Sequence, residues 1–260
     1  MKIRDVIAPI EEFAPLSLQE SYDNAGLIVG RLDDELQGGV LLAVDVTEAV
    51  IEEAIEKGCG LIITHHPIIF HPLKRLNSAS VVERCVEMAI RNNIALYACH
   101  TNLDSAPNGM SWKVGEMLGL QDMEVLQPTA EGAGFGVVGT LLQPMSEVDF
   151  LSQVKKAFSV EALRHSALLG REVKRVAICT GAGASLMRKA KASECDIYLT
   201  ADLKYNDFYT PDSHFVVADM GHFESEFCAI AILFDILSKN FINFALHKSA
   251  QSENPVHYFV

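Results

Sequence analysis

The chain has 260 residues, 49% of them hydrophobic, with 34 acidic and 21 basic groups and a formal charge of −13. That length and apolar content exclude a disordered chain and leave room for one large or two smaller domains. The acidic balance, without a basic run, argues against nucleic acid as a partner and leaves room only for a local basic pocket holding a small phosphate ester.

No segment approaches 18 uninterrupted apolar residues, so no membrane span is expected. Charges inside Met1-Lys2-Ile3-Arg4-Asp5-Val6 argue against a signal peptide. The six cysteines (Cys59, Cys85, Cys99, Cys179, Cys195 and Cys228) form no CxxC pair, and several sit in apolar runs. They are expected as reduced, buried thiols of a cytoplasmic protein.

In chain order, residues 2–14 predict an amphipathic helix with Ile3, Val6, Ile7 and Ile10 on one face. Residues 27–29 and 40–46 predict buried strands. Thr47 is placed to cap a helix over 48–57, which Gly58 ends. A strand over 60–64, a helix over 80–92 and a strand over 94–99 follow. This alternation argues for a largely parallel sheet with helices on its faces, where ligands collect beyond the carboxyl ends of the strands. The glycine-rich stretch near 127–139 reads as a boundary, giving α/β subdomains over 1–127 and 128–260. The second is expected to hold a helix near 147–158, a strand over 173–180, a turn at 181–184 and a helix over 185–191. Strands over 196–200 and 215–218, a helix over 222–237, a strand over 244–246 and the tail 257–260 complete it, with the last strand free to return to the first subdomain.

Three segments carry the candidate chemistry. In Thr64-His65-His66-Pro67 a buried strand ends in two adjacent histidines, which can address two different ions, or one ion and a substrate; the plain alternative is an ordinary loop. In His100-Thr101-Asn102-Leu103-Asp104 the carboxylate lies beyond another strand end, and it reads either as a ligand or as a turn residue. His100 reads as a satisfied strand-end histidine or as a partner that orients a ligand. In the third, His222 and Glu226 are four apart and share a helix face, as an ion-binding pair or a solvated helix start. Together the five form a mixed nitrogen–oxygen set suited to zinc, manganese, iron or nickel rather than calcium or magnesium. Five ligands exceed what one catalytic zinc needs, so two divalent cations with Glu226 bridging is the economical reading. Gly181-Ala182-Gly183-Ala184-Ser185 reads as a phosphate-cradling turn or simply a tight strand-to-helix turn. Asp202 and Lys204 lie just past another strand end, to touch a substrate or to close a loop.

The chain resembles the dinuclear metal-centre proteins of the YbgI type, often called GTP cyclohydrolase I type 2 homologues. The resemblance rests on Asp23-Asn24-Ala25-Gly26-Leu27-Ile28-Val29-Gly30, Val44-Asp45-Val46-Thr47, Thr64-His65-His66-Pro67, His100 through Asp104, Thr200-Ala201-Asp202-Leu203-Lys204-Tyr205 and Gly221-His222 through Glu226. It implies two similar α/β subdomains with the metals in the cleft between them. It also implies that His65, His66, Asp104, His222 and Glu226 hold two divalent cations, and that the protein is a ring-shaped homohexamer built as a trimer of dimers. Ala201 stands where the family commonly has Gly, Asn206 where it has His, and Gly109-Met110-Ser111 where it has Gly-Val-Asn. None of these departures removes a proposed ligand; they bear on contacts to the substrate. The expected activity is metal-dependent hydrolysis of a nucleotide or phosphoester, with His100 or Glu224 as proton carrier. The alternative is a non-enzymatic metal-binding, metal-delivery or interaction-platform oligomer.

Overall fold

The computed structural model describes residues 1–242 and 244–259. The chain divides into two compact units, one of residues 1–106 and 229–253, the other of residues 107–228 and the chain from Asn254 onward.

The first unit opens with helix α1 (Ile3–Phe13), whose buried Ile3, Val6, Ile7 and Ile10 recur at helical spacing. Strands β1 (Gly26–Val29) and β2 (Gly39–Ala43) follow, then α2 (Glu48–Glu56), β3 (Cys59–Thr64), α3 (Val81–Arg91), β4 (Ala95–Ala98) and the short α4 (Thr101–Ser105). The two longer crossover helices start where a hydroxyl satisfies a backbone N–H that the helix itself cannot. The Val50 N–H donates to Thr47 Oγ1 at 3.2 Å, and the Glu83 N–H to Ser80 Oγ at 3.2 Å.

The second unit contains α5 (Met110–Met117), β5 (Gln121–Ala130), β6 (Ala133–Ser146), α6 (Glu147–Phe158), β7 (Arg164–His165), β8 (Glu172–Ile178), α7 (Met187–Ala192), β9 (Ile197–Thr200), β10 (Val216–Asp219) and α8 (His222–Glu226). The chain then runs through α9 (Cys228–Asn240) to β11 (Leu246–Lys248), which pairs in parallel with β2 of the first unit.

Each unit is built on one sheet. The first has the order β1-β4-β3-β2-β11, with β1 alone antiparallel to its neighbour. Every residue of β2, β3 and β4 is buried, as expected of parallel strands covered on both faces. The second has the order β5-β6-β8-β9-β10-β7, where β8, β9 and β10 run parallel and the flanking strands antiparallel. In both units the parallel strands deliver their carboxyl ends to one edge of the sheet, and those ends carry the candidate site.

The observed division differs from the expected one. The chain changes unit at residue 106, not at 127. The glycine-rich stretch, read as the boundary, is part of the β5–β6 hairpin. There Gly134, at φ +153°, packs so closely that a Cβ would lie 2.1 Å from the Gln127 carbonyl oxygen. The helix expected over 222–237 is interrupted by a turn at Phe227. The last strand lies at Leu246–Lys248 instead of 244–246. Residues 257–259 are irregular, and Val260 lies outside the described residues. The short α4, the helix α5 and the strands β5, β6 and β7 have no counterpart in the sequence reading.

The return of the C-terminal segment is fastened by one carboxylate. Glu53 on α2 is buried and accepts hydrogen bonds from the Ser249 hydroxyl, from the Ala250 N–H at 3.0 Å and from the Gln251 N–H at 3.3 Å. Burial alone would raise its pKa, but these donors, with Lys57 at 3.6 Å, hold it below the ordinary glutamate value. A lowered carboxylate pKa contributes stability that is present above the unfolded-state pKa and is lost as pH falls through the folded-state value. Glu53→Gln is therefore expected to cost about 1–3 kcal/mol at neutral pH. Urea unfolding should show this cost shrinking as the pH falls through the carboxylate range.

Candidate metal centre

In the first unit, four strand ends or adjoining loops converge. β3 ends at Thr64 and delivers His65, wholly buried, and His66. β4 ends at Ala98 and leads through Cys99 to His100. The ligand-capable nitrogens of His65, His66 and His100 lie within 4.8 Å of one another, and the ring centroids are 4.9 to 5.5 Å apart. Asp104, on α4, places Oδ1 3.8 Å from His65 Nε2, beyond a hydrogen bond and close enough for both to address one cation.

Each imidazole is fixed through its Nδ1. His65 Nδ1 lies 2.8 Å from the Cys99 carbonyl oxygen. A carbonyl only accepts, so Nδ1 carries the proton and the neutral ring presents the lone pair of Nε2. His66 Nδ1 is 2.7 Å from Asp45 Oδ1, and His100 Nδ1 is 2.6 Å from Asp23 Oδ1. Asp23 also accepts from the Thr101 N–H at 3.0 Å, the Thr101 hydroxyl and the Asn24 N–H at 2.7 Å. Burial works to raise this carboxyl, yet the bonds from His100 and Thr101 hold it at about 2.

The second unit repeats the device. β10 ends at Asp219, and α8 begins with His222, whose Nδ1 lies 2.8 Å from Asp202 Oδ2 in the segment leaving β9. Its Nε2 is 2.9 Å from Glu226 Oε2, the i, i+4 partner on the same helix face. Burial lowers the imidazole pKa, but Glu226 and Asp202 outweigh it and raise it to about 9. Glu226 is only 3% exposed. The chain that passes it needs glycine: at Gly181, φ +61°, a Cβ would lie 2.2 Å from Glu226 Oε1.

Every histidine named as a ligand is thus held by a carboxylate or carbonyl behind it, the arrangement that fixes tautomer and ring direction in metal-bound histidine. The donor set, imidazole nitrogen and carboxylate oxygen, fits a borderline divalent cation. These His and Glu groups could bind a metal ion.

The sequence-based roles divide as follows. Within the first unit the structure gathers His65, His66 and Asp104, and it brings His100 beside the pair. Within the second it pairs His222 with Glu226. Glu224 is two residues from each of these on α8, off the face they share. The turn at Gly181 is a tight strand-to-helix connection with two of its N–H groups committed within the protein. The Gly181 N–H donates to Ser225 Oγ at 2.9 Å and the Gly183 N–H to Thr200 Oγ1 at 2.9 Å. Asp202 orients His222 through Oδ2. Asp45 and Asp23 were quoted only as parts of motifs, and their roles as imidazole partners come from the fold.

The two sheets with their crossover helices, and the locked imidazoles and carboxylates at their strand ends, define an α/β protein with His and Glu groups that could hold a metal ion. The chain belongs to the DUF34/NIF3 (NGG1p interacting factor 3) family, whose profile matches residues 1–255. A relative from Clostridium acetobutylicum, called GTP cyclohydrolase 1 type 2 homolog, is 34% identical over 254 residues, covering 95% of this chain and 92% of that protein. Among solved structures, a Staphylococcus aureus hypothetical protein matches with a TM-score of 0.91 at 26% identity, covering 100% of this chain and 99% of that one. A Bacillus cereus protein related to NIF3 shares the fold, with a TM-score of 0.90 at 23% identity and the same coverage. No helix among the described residues is long and apolar enough to cross a membrane.

Two outcomes test this arrangement. Asp45→Asn and Asp202→Asn should each weaken metal binding about 10- to 100-fold, read by competition with a chromophoric chelator. Gly181→Ala should push on the Glu226 carboxylate, lowering both metal content and, by about 2–4 °C per kcal/mol lost, the melting temperature.

Proposed function

We propose that this protein is a dinuclear divalent-metal-binding protein and a metal-dependent hydrolase acting on a nucleotide or phosphoester. In this reading His65, His66 and Asp104 of the first unit and His222 and Glu226 of the second together hold two cations of the zinc, manganese, iron or nickel type, with Glu226 bridging. The observation that carries it is the backing of His65, His66 and His222, whose Nδ1 atoms lie 2.7 to 2.8 Å from their acceptors and leave Nε2 as the donor. The name GTP cyclohydrolase 1 type 2 homolog, shared by relatives from Clostridium acetobutylicum and Lactococcus lactis, supports a cyclohydrolase-like reaction. The six cysteines, all buried, suit a cytoplasmic location. A ring-shaped homohexamer, a trimer of dimers, belongs to the same proposal.

When bound, such metals supply a water acidified toward neutrality and a Lewis acid that polarises the electrophile. The chain's own residues do the rest. His65, buried and locked by Cys99, cannot rotate away from its ligand direction. Asp45 and Asp202 hold His66 and His222 in one ring orientation and keep Nε2 basic. His100 is placed to carry a proton: it is half-buried, beside the histidine pair, and held by Asp23 as a catalytic imidazole is held by its orienting carboxylate. Glu224, off the His222/Glu226 face, is the weaker candidate for that role.

Elemental analysis of purified protein checks the ligand set. Wild type should retain two divalent ions per chain, and the His65→Ala/Glu226→Ala double variant should retain none. Two ions per chain in that variant would refute the assignment. A screen of nucleotides and phosphoesters against metal-reconstituted protein should find turnover that His66→Ala abolishes. A fully loaded protein that turns over none of them would favour the metal-delivery reading.

A further inference from the structure

Next to the locked imidazoles of the first unit, two aromatic rings stand in solvent. Phe70 is 41% exposed and Tyr22 64% exposed, whereas Tyr97, on a central strand of the same unit, is 1% exposed. Large rings left in water beside a cluster of ligand-type side chains mark a surface with an occupant. The two rings form one continuous wall with the site. The Tyr22 and Phe70 centroids are 6.5 Å apart at 62°, and those of Phe70 and His100 are 6.1 Å apart at 85°.

The wall is held in place rather than loosely displayed. Asn24 Nδ2 donates to the Ile69 carbonyl at 2.7 Å, fixing the backbone that carries Phe70. The neighbouring residue Asp23 accepts from His100 Nδ1 at 2.6 Å. One dipeptide therefore fixes both the ring-bearing segment and the imidazole. A backbone fixed beforehand loses little conformational freedom when a ligand stacks on the ring it carries.

We propose that Tyr22 and Phe70 form a stacking wall for the planar heterocyclic part of the substrate, setting it beside His100 and the His65/His66 pair. This deepens the hydrolase reading and rests on it for where the reacting atom lies. It names the ligand class: a planar nitrogen heterocycle, such as the base of a nucleotide, in preference to a sugar phosphate. Stacking tolerates differences between bases because every base has a π face, so the wall selects for planarity and leaves the choice among bases to other contacts.

The test is isothermal titration of manganese-loaded, full-length protein with guanosine 5′-monophosphate, adenosine 5′-monophosphate and ribose 5-phosphate, which differ only in the base. Both nucleotides should bind at least about tenfold more tightly than ribose 5-phosphate. Phe70→Ala and Tyr22→Ala should each remove about tenfold of nucleotide affinity and leave ribose 5-phosphate unchanged, while Phe70→Tyr and Tyr22→Phe keep it. Equal binding of the three probes, no binding of any, or undiminished nucleotide affinity in the alanine variants would overturn the wall. So would a change of assembly mass by light scattering without loss of affinity, which would make these rings a contact between copies. Metal content measured on the same samples separates the two readings. Normal metal without discrimination for the base sinks the wall alone, whereas discrimination persisting in protein that binds no metal keeps the wall and sinks the metal centre.

Discussion

The candidate site depends on one constraint: an imidazole can serve a cation only if its other nitrogen is committed elsewhere. An unheld histidine rotates about χ2 and interconverts tautomers, and immobilising it at the moment of binding costs free energy. Here His65, His66 and His222 are each committed through Nδ1, one to a backbone carbonyl and two to carboxylates. The carbonyl is the strictest of these partners, because it can only accept and so fixes the His65 tautomer outright. The carboxylates do more electrically. Each draws positive charge onto its ring and makes Nε2 a better donor.

The constraint explains why the site lies where it does in the fold. A parallel strand buried on both faces must be apolar, as β2, β3 and β4 are, so polar groups can appear only where the strand stops. Adjacent parallel strands stop at the same edge, which brings residues from separate parts of the chain within hydrogen-bond reach. Asp45 follows β2 and His66 follows β3; Asp202 follows β9 and His222 follows β10. In both units, then, a carboxylate beyond one strand backs a histidine beyond its neighbour. The device is the same although the antiparallel surroundings of the two sheets differ.

This geometry also sets what could be read from the sequence. The ligand-type residues were legible because their signals are local: two histidines at the end of an apolar run, and an i, i+4 histidine–glutamate pair at a helix start. Their partners were not, because the pairs Asp45–His66, Asp23–His100 and Asp202–His222 span 21, 77 and 20 positions, and only the strand order brings them together. Helices with hydroxyl caps, such as those after Thr47 and Ser80, were placed to within a residue or two. The β5–β6 hairpin was lost because its glycines, read as a subdomain boundary, are demanded by close backbone approach at Gly134. The unit change lies at 106 instead of 127 because chain composition records local flexibility and not which core a segment joins; the return of the last strand, left open in the sequence, is seen in the pairing of β11 with β2.

The electrostatics of the second unit add a further step. His222 is flanked by two carboxylates, Asp202 at Nδ1 and Glu226 at Nε2, which raise its pKa to about 9 against the effect of burial. At neutral pH the ring is thus an imidazolium joined to both. A cation that takes Nε2 as a ligand must displace that proton, and in doing so it replaces one positive charge beside Glu226 with another. Glu226 therefore faces positive charge with or without a metal. Gly181 makes the same point sterically, since the backbone has given up a side chain to leave the Glu226 carboxylate its position. The two groups already stand together as an ion pair, and the same short helix, α8, supplies both.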